Sequence, residues 1–364
     1  MRYFLIAGER SGDLHGSNLI NALRKKDPAA VIAGYGGDMM ESAGMNLLSH
    51  YQEGAFMGFI EVLFNLKSIA RRIKNCKSQL EEFNPDVVIL IDYPGFNLRM
   101  AKYAKERGIR TVFYISPKIW AWKKSRIHQI KKYVDQMLVI FPFEVSFYDT
   151  LNYSVNYVGN PLVEQIASYQ FSQLDISQEK YLKRIAFLPG SRTQEVKSSI
   201  PFILQLAQTR TDWQILVTAV DNLDQEIYKP LLDQENIRVV TNQTYEALKI
   251  SDAAVVTSGT ATLETALLEI PQVVCYKANP ISYAIGKRLI QIKFISLINL
   301  IMDKAVVKEL IQQEYNISNI LDELNRIFDD KAYQEKMLSG YKEVKQLLGT
   351  ESASQNAANL IAEN

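Results

Sequence analysis

Two loops rich in glycine and hydroxyl side chains are the first candidates for chemistry. The stretch Ser258-Gly259-Thr260-Ala261-Thr262-Leu263-Glu264 lies between an apolar run at 253–257 and a segment at 265–269 that is typical of a helix. A small-residue turn from strand to helix leaves backbone N–H groups free at the positive end of the helix dipole, where phosphate can bind. Glu264, about one turn into that helix, can accept hydrogen bonds from a ribose. The alternative is a helix capped by Ser or Thr, without a ligand.

The second loop is Pro189-Gly190-Ser191-Arg192-Thr193-Gln194-Glu195, which follows a predicted strand at 184–188. Its arginine can pair with a diphosphate oxygen. The chain contains no Asp-x-Asp motif and no His/Cys cluster, since it has three His and two Cys. We therefore expect no metal ion and no other cofactor. Arg192 and the helix that begins after Ser258 would neutralise a diphosphate leaving group instead.

Asp92 is the candidate catalytic residue. The run Val87-Val88-Ile89-Leu90-Ile91 predicts a buried parallel strand, and Asp92 is the first polar residue after it. Ligands of open α/β sheets bind outside the carboxyl ends of the strands. A carboxylate there can act as a general base if it reaches the proton that is transferred. The alternative is that Asp92 caps the helix that follows.

Three segments are candidates for an acceptor or membrane surface. The loop at 8–16 could contact an acceptor or could be a turn capped by its own polar residues. Residues 57–75 combine an apolar stripe at helical spacing with basic residues on other faces, which is typical of an interfacial helix or of an ordinary core-packed one. Residues 117–126 place two Trp beside Lys and Arg, which indicates contact with phosphate, sugar or lipid headgroups, or else a packed aromatic cluster. The residues selected are Ser11, Asp13, Met57, Phe59, Leu63, Leu66, Arg71, Arg72, Trp120, Trp122, Lys123 and Arg126.

Apolar strands alternate with amphipathic helices along the chain, which predicts two doubly wound, Rossmann-like α/β domains. A length of 364 residues and an apolar content of 47% fit that organisation. We predict a first domain at 1–165, a second at 166–335, and C-terminal helices at 336–364 that pack on the first domain or exchange with another subunit. Two Rossmann-like domains that face each other would hold a donor nucleotide in one half and an acceptor in the other.

Charge and hydropathy restrict the partners. The net charge of +1 gives no argument for nucleic acid. Two distant cysteines predict no disulfide framework and indicate a reducing compartment. The N-terminal apolar run is too short for a signal peptide, and no run is long enough for a spanning helix. We therefore expect a cytoplasmic protein that meets a membrane only at its surface.

The sequence resembles lipid-A-disaccharide synthase, a family of glycosyltransferases of the GT-B class, which have two facing Rossmann-like domains. The resemblance extends from end to end. It rests on the blocks at 7–13, 57–63, 91–97, 117–122, 157–162, 188–192 and 258–264, among them Ile91-Asp92-Tyr93-Pro94-Gly95-Phe96-Asn97 and Pro117-Lys118-Ile119-Trp120-Ala121-Trp122.

The resemblance implies a reaction. UDP-2,3-diacylglucosamine would donate its sugar to the 6-hydroxyl of 2,3-diacylglucosamine 1-phosphate (lipid X), which gives the β-1,6-linked disaccharide 1-phosphate and UDP with inversion. Asp92 would be the base, and the two loops would hold the diphosphate and ribose. The resemblance also implies an enzyme that lies on the inner membrane, since both substrates carry acyl chains, and a homodimer is compatible with it.

A late motif of the family adds three candidate nucleotide-sugar ligands, Asn299, Glu309 and Gln312. The sequence departs from the family around them. Ile298 replaces the usual Pro, and Met302-Asp303 replaces the usual Ala-Gly. The role of Asn299 therefore stays open. Two other functions also stay open: a non-hydrolysing UDP-GlcNAc 2-epimerase, which would need no lipid-facing surface, and a nucleotide-sugar-binding module without activity.

Overall fold

The first parallel sheet contains seven strands in the described residues. A computed structural model describes residues 1–54, 66–174, 176, 181–278 and 293–363. The strand order is β3-β2-β1-β4-β5-β6-β7. The strands are β1 (Arg2–Ala7), β2 (Val31–Gly36), β3 (Asn46–His50), β4 (Val87–Ile91), β5 (Arg110–Tyr114), β6 (Gln136–Val139) and β7 (Asn156–Tyr157). The helices between and after them are α1 (Arg10–Lys26), α2 (Asp38–Ser42), α3 (Leu66–Phe83), α4 (Pro94–Lys105), α5 (Ile127–Tyr133), α6 (Pro142–Asp149) and α7 (Pro161–Ser168).

The second parallel sheet has six strands in the described residues, in the order β10-β9-β8-β11-β12-β13. Its strands are β8 (Lys183–Leu188), β9 (Trp213–Ala219), β10 (Ile237–Thr241), β11 (Ala253–Thr257), β12 (Gln272–Tyr276) and β13 (Lys308–Ile311). The remaining helices are α8 (Thr193–Thr209), α9 (Thr244–Lys249), α10 (Thr260–Leu267), α11 (Leu297–Met302), α12 (Ile317–Asp329), α13 (Lys331–Leu348) and α14 (Ala353–Ala362). Short 3₁₀ helices lie at Tyr51–Gly54, Lys124–Arg126 and Gln225–Leu231.

The chain divides into two compact units. One contains Met1–Glu164 together with Leu348–Asn364, and the other contains Gln165–Leu347. The boundary that we predicted at 335/336 falls inside α13, and the chain instead leaves the second unit at the end of that helix. The last helix, α14, packs on α1 through small and apolar side chains such as Ala357 and Ile361, which belong to the core that contains Leu19 and Leu23.

Both sheets reverse their strand order at one point, and these points position the candidate residues. In the first unit β1 pairs with β2 on one side and β4 on the other. In the second unit β8 pairs with β9 on one side and β11 on the other. The crevice outside the carboxyl ends of strands at such a switch point is where open α/β sheets bind ligands. The segments that follow β1, β4, β8 and β11 each contain candidate site residues chosen from the sequence.

The predicted strands are found where continuous apolar runs stand, because strands covered on both faces need apolar side chains throughout. All residues of β4 and β11 are buried. The edge strands β3 and β13 were not predicted. Their residues are largely half-buried or exposed, and neither strand is a continuous apolar run. Of the predicted interfacial helix, Met57, Phe59 and Leu63 lie outside the described residues, and the described helix α3 begins at Leu66.

Candidate active site

Asp92 lies in a strained turn between β4 and α4. Its φ is +44°, and that of Tyr93 is +48°. Two consecutive left-handed residues other than glycine cost about 1–3 kcal/mol each, and such strain concentrates at functional sites. Tyr93 is the N-cap of α4 and Pro94 takes the first turn, so Asp92 precedes the cap and does not fill it. Its backbone N–H donates to the Tyr114 oxygen at 3.1 Å, which ties the turn to the end of β5.

The electrostatic setting of Asp92 suits a general base. Burial raises the pKa of this carboxyl to about 6. Lys118, in the loop after β5, lowers the pKa of Asp92, whereas Glu9, after β1, raises it. A base is most effective when its pKa lies near the working pH. Asp92 is therefore mostly ionised at pH 7 while it retains appreciable basicity.

A buried carboxylate holds the loop at 117–126, with its two Trp and its Lys and Arg residues, in place. Glu144, 1% exposed, accepts hydrogen bonds from the Ser116 hydroxyl at 2.6 Å and the Trp120 indole N–H at 3.2 Å. Its other oxygen accepts from the backbone N–H groups of Ile140 and Phe141 at 3.2 and 3.0 Å. A buried carboxylate needs such partners, and these four bonds fix the loop against the end of β6.

The two tryptophans of this loop have different environments. Trp120 is half-buried and meets the Phe143 ring edge-on at 5.1 Å, which matches the alternative of a packed aromatic cluster. Trp122 is 43% exposed, with the Lys123 ammonium 4.6 Å and the Arg126 guanidinium 5.2 Å from its ring. Only the second tryptophan therefore presents an aromatic face and cations to solvent.

The two residues selected after β1, Asp13 and Ser11, lie in the first turn of α1 and differ in exposure. Asp13 is 2% exposed and accepts hydrogen bonds from the backbone N–H groups of Gly37, Met39 and Met40 at 2.8, 3.1 and 3.0 Å. It thus caps the start of α2 and not its own turn, so the alternative of a turn capped by its own residues is wrong for Asp13. Ser11 is exposed, and its hydroxyl donates to Glu9 at 2.7 Å.

The arginines of α3 also differ. Arg71 is exposed. Arg72 is half-buried, donates to the His50 carbonyl at 3.3 Å and lies with its guanidinium 5.2 Å from the Tyr35 ring. Arg72 therefore packs against its own unit, which corrects its prediction as part of an outer surface, while Arg71 is available to a surface ligand.

A carboxylate from the following helix, α8, occupies the backbone N–H groups of the loop after β8. The Glu195 carboxylate accepts from the backbone N–H groups of Ser191 and Arg192 at 3.2 and 3.3 Å, and from the Arg192 guanidinium at 3.1 Å. Gly190 has a φ of +102°, and a Cβ there would lie 2.4 Å from the Glu195 carboxylate. A diphosphate can reach these N–H groups only by displacing Glu195, whereas the 71% exposed Arg192 side chain is accessible to it.

The start of α10 is open. Its N-cap is Gly259, which provides no side-chain cap, and a Cβ at Gly259 would meet nothing within 4 Å. The Ser258 hydroxyl donates instead to the Ile295 carbonyl at 2.9 Å. The capped-helix alternative is therefore not realised. Thr260 is exposed and Ala261 half-buried at this helix start, so uncapped N–H groups and the helix dipole can meet an anion.

Two residues of α10 have distinct roles. The half-buried Glu264 has its pKa raised to about 7 by burial, against a smaller lowering effect of a hydrogen bond with Thr260. Thr262 is fully buried; its hydroxyl donates to the Gly259 carbonyl at 2.8 Å and accepts from the Leu297 N–H at 3.3 Å. Glu264 can therefore bind a ligand, while Thr262 connects the loop to α11.

Glu309 organises the segment beneath the α10 loop. Its carboxylate accepts from the Ser296 N–H and hydroxyl at 2.9 and 2.7 Å, from the Ile295 N–H at 3.0 Å, and from the Asn299 amide at 2.9 Å. Because Ser258 donates to the Ile295 carbonyl, the carboxylate is linked to the candidate phosphate loop through one backbone segment.

The side chains of Asn299 and Gln312 both pair with backbone groups, but in different segments. Asn299 is 1% exposed, and its carbonyl oxygen accepts from the N–H groups of Val306 and Val307 at 2.8 and 3.0 Å. The Gln312 amide pairs with both backbone groups of Ala278 at 3.2 and 3.1 Å in the orientation that satisfies both. The side chain of Asn299 therefore stabilises the loop from below.

The departures from the family motif have a structural counterpart. Ile298 is fully buried in α11, where an apolar side chain adds to the core. Asp303 ends that helix with a φ of +46°. Aspartate tolerates this left-handed conformation better than most residues, so it can replace a glycine at the helix end.

Several site residues were missed by the sequence analysis. Lys118 and Glu9 act on Asp92 through space, and Asn97, Glu144 and Ser296 position the loops. Lys118, Glu9, Asn97 and Ser296 stand within or close to a selected motif, which is the one signal that could have marked them as candidates, whereas Glu144 stands outside the selected motifs.

The described ranges lack two kinds of feature. There, no three His, Cys, Asp or Glu side chains gather in a way that could hold a metal ion. Among the same residues, no helix combines the length and apolarity needed to cross a membrane.

Structural comparison supports the fold prediction. A UDP-GlcNAc 2-epimerase from Neisseria meningitidis bound to UDP-GlcNAc superposes with a TM-score of 0.70 over 100% of both chains at 15% identity. The glycosyltransferase of kitacinnamycin gives a TM-score of 0.70 at 13% identity and covers 100% of this chain and 98% of its own. At such identities the likeness shows the fold alone. The predicted pair of Rossmann-like domains of the GT-B fold is confirmed.

Sequence comparison shows the family. The model of lipid-A-disaccharide synthetase matches residues 3–363. Lipid-A-disaccharide synthase of Geobacter sulfurreducens is 36% identical, over 100% of this chain and 97% of the relative. That of Coxiella burnetii is 37% identical, over 98% and 96%. The chain therefore belongs to the lipid-A-disaccharide synthase family of glycosyltransferases.

Proposed function

We propose that the protein transfers the sugar of UDP-2,3-diacylglucosamine to the 6-hydroxyl of 2,3-diacylglucosamine 1-phosphate. The products are the β-1,6-linked disaccharide 1-phosphate and UDP. The observation that carries this proposal is Asp92, a carboxylate whose pKa of about 6 results from burial at the switch point of the first sheet. A binding module without activity gives no reason for a strained, partly desolvated carboxylate at that position.

In the proposed mechanism Asp92 accepts the proton of the 6-hydroxyl while the hydroxyl oxygen forms its bond to the anomeric carbon. The bond from that carbon to the diphosphate oxygen breaks on the opposite face, and its electron pair leaves with UDP. The configuration of the anomeric carbon is therefore inverted. General base catalysis of this kind contributes about 10²–10⁴-fold to a rate.

The second unit would hold the leaving group. The uncapped start of α10 offers backbone N–H groups to a diphosphate, and Arg192 adds an exposed positive charge. Both stabilise negative charge as it develops on the departing oxygen. Glu264 would accept hydrogen bonds from the ribose hydroxyls, most strongly in its ionised form. Negative charge would thus be neutralised by this chain's own groups.

A product assay tests the proposal. The protein is incubated with the acylated donor and acceptor, and UDP and the disaccharide 1-phosphate are quantified by chromatography and mass spectrometry. We expect one UDP for each disaccharide and a β anomeric configuration. Omission of the acceptor should abolish UDP release.

The same assay separates the two alternatives. An epimerase would convert UDP-GlcNAc into its C2 epimer without any acceptor, and a binding module would retain the donor unchanged. Either result, with no disaccharide formed, would contradict the proposed transfer.

We also propose that the protein lies on the cytoplasmic face of the inner membrane, because both substrates carry acyl chains. The exposed Trp122 with its neighbouring cations supports this, since such a group suits a membrane interface. Trp122→Ser should lower co-sedimentation with anionic liposomes, whereas Phe171→Ser, at a similarly exposed aromatic residue, should not. Equal binding of the two variants would contradict this role of Trp122.

Two further parts of the proposal rest on the sequence. Replacement of Phe59, Leu63 and Leu66 by Ser should weaken liposome binding with an unchanged melting temperature; unfolding would assign these residues to the core instead. A homodimer, with or without exchange of α14, is tested by sedimentation equilibrium. A single species at the mass of one chain would exclude it.

A further inference from the structure

The Asp92–Tyr93 turn needs an external clamp. Both residues have left-handed φ angles, and neither is glycine. Such a conformation persists only where the surrounding structure over-determines it. The backbone contributes part of this, since the N–H groups of Phe96 and Asn97 donate to the Tyr93 carbonyl at 3.2 and 3.0 Å.

Asn97 completes the clamp with its side chain. This residue of α4 is fully buried, and its amide N–H₂ donates to three carbonyls. They belong to Asp92 at 2.7 Å, Ile91 at 3.2 Å and Ile6 at 3.3 Å. One side chain therefore holds the strained turn, the end of β4 and the end of β1, the two strands that flank the switch point.

The clamp retains an unfavourable feature. The carbonyl oxygen of the Asn97 amide is buried and has no partner among the described residues. A buried acceptor without a hydrogen bond is destabilising. An apolar residue of similar shape would remove this unpaired acceptor. The presence of asparagine is therefore explained by the hydrogen bonds that its N–H₂ group donates at the turn.

We propose that Asn97 is a positioning residue, which sets the place of the Asp92 carboxylate by clamping the carboxyl ends of β1 and β4. The inference rests on the proposed function, because it gives Asn97 a role in turnover only if Asp92 is the base. Asn97 acts through the backbone, and it does not need to touch a substrate.

Loss of the clamp should change the chemistry more than substrate binding. A displacement of about 1 Å at a reacting group can cost about 10²-fold in rate. Two charged groups act on the pKa of Asp92: Lys118 from the loop after β5 lowers it, and Glu9 from the loop after β1 raises it. A hydrogen bond from the Tyr93 backbone N–H also lowers it. A relaxed turn would expose the carboxylate to water and lower its pKa, because burial is the main cause of the elevation.

The test uses Asn97→Leu, which keeps the approximate shape without donors, and Asn97→Ser, which keeps one donor. We expect kcat to fall about 10²-fold in Asn97→Leu and less in Asn97→Ser, while KM for the donor and the Kd for UDP stay unchanged. The acid limb of the profile of kcat/KM against pH should move about one unit lower.

Asn236→Leu is the matched control. Asn236 is buried in the second unit, and its amide likewise donates to three carbonyls, those of Ala207, Arg210 and Trp213 at 3.0, 3.2 and 3.1 Å. We expect this variant to lose thermal stability with kcat and the acid limb unchanged.

Three outcomes are decisive. Wild-type kcat and acid limb in a folded Asn97→Leu protein would overturn the inference, and so would an equal loss of kcat in Asn236→Leu. If Asn97→Leu does not fold, Asn97→Ser decides by the position of its acid limb. A wild-type protein that forms no disaccharide refutes the proposed function rather than the role of Asn97.

Discussion

The two switch points of this molecule have the same topology and opposite chemistry. In the first unit the loop after β4 is a strained, left-handed turn that carries a partly desolvated carboxylate. In the second unit the loop after β11 ends at Gly259, an extended residue that is the N-cap of α10 and provides no side-chain cap. The parallel sheet dictates where each loop lies, and the residues of the loop decide whether it presents a carboxylate or uncapped backbone N–H groups.

The difference extends to what lies beneath each loop. Asn97 donates three hydrogen bonds and pulls carbonyls together under Asp92. Glu309 accepts four hydrogen bonds beneath the loop before α10, three from N–H groups and one from the Ser296 hydroxyl. A neutral amide next to a carboxylate base adds no charge that would disturb its pKa. The comparison predicts that damage on the first side affects chemistry, whereas damage on the second side affects donor binding.

The largest effect is expected at the base. Asp92→Asn keeps the shape of the side chain but removes its ability to take a proton, so kcat should fall about 10³-fold. Steady-state release of UDP measures this. Asp86→Asn is the control. Asp86 precedes β4 at the amino end of that strand, whereas Asp92 follows its carboxyl end, and the Asp86 carboxylate accepts from the Arg2 N–H. Unchanged turnover in Asp92→Asn would remove Asp92 from the mechanism.

The next largest effect is expected beneath the donor loop. Glu309→Gln turns one acceptor oxygen into a donor that faces other donors, which should lower the free energy of unfolding by about 2–3 kcal/mol. Thermal unfolding and UDP titration check this, and UDP affinity should fall with stability. Glu314→Gln alters an exposed carboxylate nearby and should change neither. A Glu309→Gln protein with wild-type UDP affinity would show that the loop does not need this support.

A smaller effect is expected from Glu264 and depends on pH. Ribose hydroxyls donate stronger hydrogen bonds to an ionised carboxylate than to the protonated acid, and the pKa of Glu264 is about 7. UDP affinity should therefore rise as the pH is raised from 6 to 8 and level off above, by at most about tenfold per pH unit on the rising part. Calorimetric titration measures this. Glu264→Gln should flatten the profile, whereas Glu269→Gln, on an exposed residue after the same helix, should leave it unchanged. A sloping profile in Glu264→Gln would assign the effect to another group.

The smallest effect is expected at Lys118. Its positive charge lowers the pKa of Asp92, so its removal raises that pKa. In Lys118→Gln the acid limb of kcat/KM should move upward by less than about one pH unit, since a solvent-exposed charge is well screened. Lys131→Gln, an exposed residue of α5, provides the reference. A downward shift would contradict the electrostatic account.

The central strands and the four loops could be predicted from the sequence because their signals are local. A continuous apolar run followed by a polar or small residue defines a buried parallel strand and its ligand edge. Asp92 and the 258–264 loop were found in this way. The edge strands β3 and β13 carry no such run, and their pairing depends on the neighbouring strand.

The supports of the site could not be predicted, because they join residues that are distant in the chain. Trp120 and Trp122 look alike in the sequence, yet Glu144, 24 residues after the first, binds only Trp120. Likewise Asn97 reaches the Ile6 carbonyl 91 residues away. Asp13 follows the same rule, since its partners at the start of α2 arrive through tertiary packing.

Binding of UDP to the inactive Asp92→Asn variant tests the central claim most directly, namely that one unit makes the bond and the other holds the nucleotide. Isothermal titration of UDP into this variant should give the wild-type Kd within about twofold, while no disaccharide forms. A loss of UDP binding in Asp92→Asn would contradict the account, because it would place the turn after β4 in the nucleotide site.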